Sequence, residues 1–108
     1  MTKQLIAERA ELWAKALELN NGKEARGDFR AGKFRCCLCV AAEVAAEQTG
    51  HVEWRRNVGG LPSNEVAHWF GWDETNPKLV GTNSTALNDK SQLSHKEIAA
   101  LVREQFTK

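Results

Sequence analysis

The stretch GKFRCCLCVAAEVAAEQTG, residues 32–50, sets three cysteines within four positions directly behind a run of arginines and lysines. Its second half is alanine-rich, with Leu38, Ala41, Val44, Ala45 and Gln48 on one face and Thr49-Gly50 closing the segment. That pattern predicts a helix. The cysteines at its start admit three readings. A metal site would use Cys36 and Cys39 with His51, His68 or His95, but structural zinc draws on paired ligand knuckles and only one C-x-x-C is present. A nucleophile would need a thiol of lowered pKa beside a histidine, for which Cys36 at a helix start after Arg35 is the candidate. The third reading is packing, because a free cysteine is small and easily buried. Packing is preferred, with no metal expected, and replacing Cys36 or Cys37 by serine should then lower stability by burying a hydroxyl.

Downstream, HVEWRR (51–56) alternates Val52 and Trp54 with polar residues and predicts a short strand. LPSNEVAHWFGW (61–72) predicts a helix that starts near Pro62, places Val66, Trp69 and Phe70 on one face, and stops at Gly71. PKLVGTNSTALND (77–89) predicts two extended pieces, Lys78–Val80 and Thr85–Leu87, around a Gly-Thr-Asn-Ser turn. The final helix is signalled by Ser94 and Glu97 as a capping box and by Leu93 poised to staple onto Ile98. Ile98, Leu101, Val102 and Phe106 form its apolar stripe.

Upstream, Leu5, Ile6, Ala10, Leu12, Trp13, Ala16 and Leu17 recur at helical spacing after Thr2 as N-cap, and Asn20-Asn21-Gly22 ends the run. Residues 22–33 read as irregular. The sum is a single α+β domain over residues 1–108, with about four helices on a small antiparallel sheet.

Composition narrows the function classes. With 42% hydrophobic and 27% charged residues in 108, the chain has an ordinary globular balance. No stretch is apolar enough to span a membrane, and the N-terminus lacks a secretion signal's apolar block, so a cytoplasmic protein without a membrane partner is expected. A net charge of +1 gives no field for extended nucleic acid. The positive charge is local: Lys23, Arg26, Arg30, Lys33 and Arg35 oppose only Glu24 and Asp28. This loop reads as a solvated surface or as a site for a small anion, since glycines admit close approach and arginine forks match phosphate. It is not a P-loop.

Four tryptophans are informative in so short a chain. Trp13 falls on a core stripe, whereas Trp54, Trp69 and Trp72 lie near turns where an indole could either pack or line a cleft. The three histidines show no paired catalytic or ligating spacing.

The order Trp13-x-x-Ala16-Leu17, a Gly-Lys turn, FRCCLCV, a helix opening with LP, and LNDKSQLSHKEIAALV resembles a family of small phage and prophage proteins. Their pattern runs W-x-x-A-L-x-x-G-K, F-C-C-L-G-V-L-C, then L-N-D-x-x-x-L-S-x-x-E-I-A. The chain departs from it at Cys39, where the family has glycine, and at Ala42, where it has a third cysteine. The resemblance implies a homo-oligomeric phage protein in the bacterial host's cytoplasm, one that captures a nucleotide-derived immune signal without a cofactor. On that reading Arg26, Arg30 and Arg35 meet phosphates, Trp54 or Trp69 stacks on a base, and Asn88 or Asp89 hydrogen-bonds ribose or a base edge. Local turn-holding is the alternative for Asn88 and Asp89. Two other classes stay open: a small phosphodiesterase using His51 or His68, and a direct protein inhibitor of a host enzyme.

Overall fold

The computed structural model describes residues 1–108 as five helices and two separate two-stranded antiparallel sheets around one core, an α+β architecture. In chain order they are α1 (Lys3–Leu19), β1 (Arg30–Ala31), β2 (Phe34–Arg35), α2 (Cys37–Thr49), a 3-10 turn (Val52–Arg55), α3 (Asn64–Phe70), β3 (Lys78–Leu79), β4 (Thr82–Asn83), α4 (Ser84–Asp89) and α5 (His95–Phe106).

Helix α2 is the hub, touching α1, α3, α4 and the 3-10 turn. Cys37 through Ala42 are all buried, as are Ala45 and Ala46. Small residues allow this all-round burial, because neighbouring elements can approach the helix closely. Gly50 ends it in the left-handed conformation at φ 80°. Helix α1 lies along α5 and turns Ala10, Trp13, Ala14 and Leu17 inward. The Trp13 indole packs against Phe70 at 5.8 Å and Trp72 at 5.1 Å, and its Nε1 donates to the Cys37 carbonyl at 3.0 Å. That bond satisfies the one polar atom of a side chain with no exposure at all.

Helix α5 carries the expected capping box between Ser94 and Glu97. Its other free amide donors are met by the loop after α1: His95 N donates to Glu24 Oε2 (2.8 Å) and Lys96 N to Asn21 Oδ1 (3.0 Å). Arg103, near its C-terminal end, forks onto Glu11 and Glu18 of α1. Hydrogen bonding to Arg103 holds the Glu11 carboxyl below its ordinary pKa.

Three expectations need correction. Residues 52–55 form a helical turn, with Trp54 N donating to His51 O (3.0 Å) and Arg56 N to Glu53 O (3.2 Å). Side chains three apart eclipse in such a turn, which is why the His51 ring stacks on Trp54 at 4.7 Å. Thr85–Leu87 is helical within α4. The hairpin turns early at Val80-Gly81, so Thr82–Asn83 takes the second strand. Asn76 then pins the start of α4 by accepting from Thr85 N (3.2 Å). Finally, β1–β2 and β3–β4 are independent hairpins rather than one sheet.

The β3–β4 turn holds Val80 at φ 51° and Gly81 at φ 86°. A β-branched residue is strained there, and Val80 is also exposed. Val80→Gly should therefore stabilise the fold by about 1 kcal/mol, read as a higher denaturation midpoint; a lower midpoint would show that the valine side chain anchors the hairpin.

His95 has no exposure, and neither ring nitrogen has a hydrogen-bond partner. Burial lowers its pKa below 6.5, although Glu24 and the carbonyls of Asn20 and Arg35 favour the charged ring; Arg26 opposes it. The unfolded chain therefore binds the proton first as pH falls, and stability is lost from about pH 6.5 downward. His95→Leu should flatten the stability profile between about pH 6.5 and 5. A mutant curve parallel to wild type there would assign the acid loss to other groups.

Candidate functional site

The residues singled out from sequence separate into three places. The first is a polar knot at the start of α2. Asn88, with no exposure, accepts from Cys37 N (3.2 Å) and donates to the Ala25 carbonyl (2.6 Å) and to Asp89 Oδ1 (2.7 Å). Asp89 Oδ1 also accepts from Gly27 N at 2.9 Å. Arg26 closes the knot by donating through Nη1 to the carbonyls of Asn88 and Leu93. Arg26, Asn88 and Asp89 therefore join the basic loop to α2 and α4. The crevice beside them has a volume of only about 60 Å³, well short of a nucleotide pocket.

The thiols belong to the same knot. Cys36 is the N-cap of α2, its Sγ accepting from Cys39 N at 3.3 Å, and Cys37 Sγ–H reaches the Ser84 carbonyl at 3.6 Å. All three cysteines are free and buried. Burial raises the pKa of each, to about 11 for Cys39, where the Glu43 carboxylate adds to the effect. A raised pKa opposes thiolate formation, so the geometry gives no support to a nucleophile. No group of three or more His, Cys, Asp or Glu is placed to hold a metal ion.

The second place is the face of the β1–β2 hairpin. Arg30 and Arg35 both pair with Glu43 of α2, Arg35 through Nε at 2.8 Å, while Arg35 Nη1 donates to the Lys33 carbonyl at 2.8 Å. Their forks hold α2 to the hairpin at a half-exposed position, where such pairs are worth roughly 1 kcal/mol or less.

The third place is a groove of about 410 Å³ lined by Met1, Arg9, Trp54, Asn64, Glu65, His68 and Trp69. Here the structure brings together two of the predicted tryptophans and one of the predicted histidines, and none of the basic-loop arginines. Trp54 comes from the 3-10 turn after α2; Glu65, His68 and Trp69 come from one face of α3, which starts at the Ser63 cap. Arg9 of α1 lies over the Trp69 ring at 4.3 Å and donates to the Trp69 carbonyl at 2.6 Å. Each indole thus has one covered face, Trp69 by Arg9 and Trp54 by His51. Both rings are half-buried, which leaves apolar surface with polar groups at its rim. Trp72, by contrast, is core, stacked on Phe70 at 4.7 Å.

Arg9, Asn64 and Glu65 were not singled out from sequence. The spacing of Glu65, His68 and Trp69 at i, i+3 and i+4 did carry a signal for one helix face. Arg9 carried none, being one of several charges between the apolar positions of α1. His51 lies outside the groove lining, with Nδ1 3.1 Å from Glu53 Oε1.

Comparison with protein-family models, with curated proteins and with solved structures finds no match to this chain.

The knot separates the two serine exchanges that sequence grouped together. Cys36→Ser places a stronger acceptor at an N-cap and should leave stability unchanged or slightly raised. Cys37→Ser sets a hydroxyl in a fully buried site and should cost about 1–3 kcal/mol. Denaturant unfolding of both variants checks the order; equal losses would remove Cys36 from the capping role.

Proposed function

We propose that the protein captures a small nucleotide-derived ligand in the Trp54–Trp69 groove and holds it without turnover, as a sequestering protein for a nucleotide immune signal would. The observation that carries this reading is the pair of half-buried indoles lining one groove of about 410 Å³, within the size range of small-molecule pockets. Indoles bind flat rings by stacking, largely regardless of base identity. Asn64, Glu65 and His68 supply hydrogen-bonding groups at the rim, and Arg9 supplies the guanidinium that the sequence reading sought in the basic loop. Arg26, Asn88 and Asp89 are left to the fold, and Arg30 and Arg35 to their pairing with Glu43. Capture is favoured over hydrolysis because His68 is the only histidine lining the groove, and His51, the histidine that pairs with a carboxylate, lies outside that lining.

The test is titration with cyclic ADP-ribose and with cyclic dinucleotides, followed by tryptophan fluorescence, and then recovery of ligand after heat denaturation. Trp54→Ala and Trp69→Ala should each weaken binding about tenfold or more, since stacking contributes roughly 1–3 kcal/mol per base. The recovered ligand should be intact. Affinities within twofold of wild type in both variants would overturn the groove, and a chemically altered ligand would overturn capture in favour of turnover.

A further inference from the structure

Stacking on an indole leaves the identity of a base open, so selection within the Trp54–Trp69 groove falls to the groups that meet the ring's edges. Two of the lining side chains are charged and of opposite sign, Arg9 from α1 and Glu65 from α3. They share one groove, yet they form no ion pair with each other or with any other residue. Arg9 is held in place, its guanidinium 4.3 Å from the centroid of the Trp69 ring and its Nη1 donating to the Trp69 carbonyl at 2.6 Å. That bond uses one N–H of the guanidinium, and the Nε and Nη2 donors stay available as a planar fork. Glu65 is exposed and one helical turn before Trp69 on the same face of α3, so its carboxylate is a free acceptor beside the ring.

Guanine is the base whose two edges fit this pair. Its N7 and O6 are adjacent acceptors, which an arginine fork meets with two hydrogen bonds. Its N1–H and exocyclic amino group are adjacent donors, which suit a carboxylate because an ionised carboxylate only accepts. Adenine and cytosine each set a ring-nitrogen acceptor beside their amino group, so a carboxylate there would face a lone pair. Uracil flanks its single N–H with a carbonyl on either side. A fork and a carboxylate coming from two different helices can therefore both be satisfied by guanine, and each of the other bases leaves at least one of them poorly met.

We infer, on the basis of the capture proposed above, that the groove selects guanine nucleotides, with Arg9 reading N7 and O6 and Glu65 reading N1 and the amino group. Tryptophan-fluorescence titration of the whole chain with the 5′-monophosphates of guanosine, inosine, 7-deazaguanosine and adenosine tests this. The guanosine compound should bind at least about tenfold tighter than the adenosine compound. Inosine lacks the amino group that Glu65 accepts from, and 7-deazaguanosine lacks the N7 that Arg9 donates to, so each should bind about fivefold more weakly than guanosine. Glu65→Gln offers one donor and one acceptor, and should bring guanosine and adenosine monophosphates to within about threefold of each other. Its thermal midpoint should match wild type, because the side chain is exposed. Equal affinities for the guanosine and adenosine compounds, both lost in Trp54→Ala, would overturn the guanine assignment and leave the groove standing. A guanine preference that Glu65→Gln leaves intact would overturn it too. A protein that captures cyclic ADP-ribose but not guanosine monophosphate sinks this inference alone, whereas one that binds no nucleotide sinks the capture reading with it.

Discussion

The carboxamide of Asn88 is the tie on which the arrangement depends. It is fully buried, and its oxygen and nitrogen are bonded to the first turn of α2, to the loop at Ala25 and to its own neighbour Asp89. Those bonds hold together segments 51 and 63 residues apart in the chain. A buried amide is costly to leave unpaired, so the loop, α2 and α4 are bound to one mutual geometry. Arg26 and Asp89 extend the same logic by meeting backbone carbonyls and an amide that would otherwise be unpaired. The effect reaches the tryptophan groove, because the placement of α2 sets where the 3-10 turn bearing Trp54 leaves it.

Around that tie the core is layered on small residues. The alanines of α2 let α1, α3 and α4 approach it closely, and the large rings fill the space at the edge, with Trp13, Phe70 and Trp72 forming one tilted and stacked group. Trp69 and Trp54 lie just outside this group. Their half-burial is the residue of a core that runs out of depth in a chain of 108 residues.

Legibility in the sequence followed the range of the interactions. The helices α1, α2, α3 and α5 could be read because caps, stops and apolar periodicity act over one to four residues; Ser94 with Glu97 is the clearest case. Short segments were ambiguous. Val52 and Trp54 alternate as a strand would, yet no strand lies beside them and the chain closes into a turn instead. Thr85–Leu87 became helical through Asn76, a bond over nine residues that no local pattern announces. The same limit applied to the sites. Arg30 and Arg35 looked available for an anion until α2 brought Glu43 beside them. Asn88-Asp89 could be read as a turn or a ligand group, and proved to be a long-range brace. Arg9 and Trp54, 45 residues apart, meet at one groove only after the whole fold is assembled.

The burial of all three thiols has a practical corollary. Cys37 and Cys39 have no exposure, Cys36 has only 5%, and burial disfavours the thiolate of all three, so alkylating reagents and oxidants reach Cys37 and Cys39 only when the start of α2 opens. Because that start is also where Asn88 ties the chain together, such an opening must release the loop and α4 as well. The rate of thiol labelling thus becomes an intrinsic clock for cooperative opening of the hub, with the protein's own cysteines as the probe.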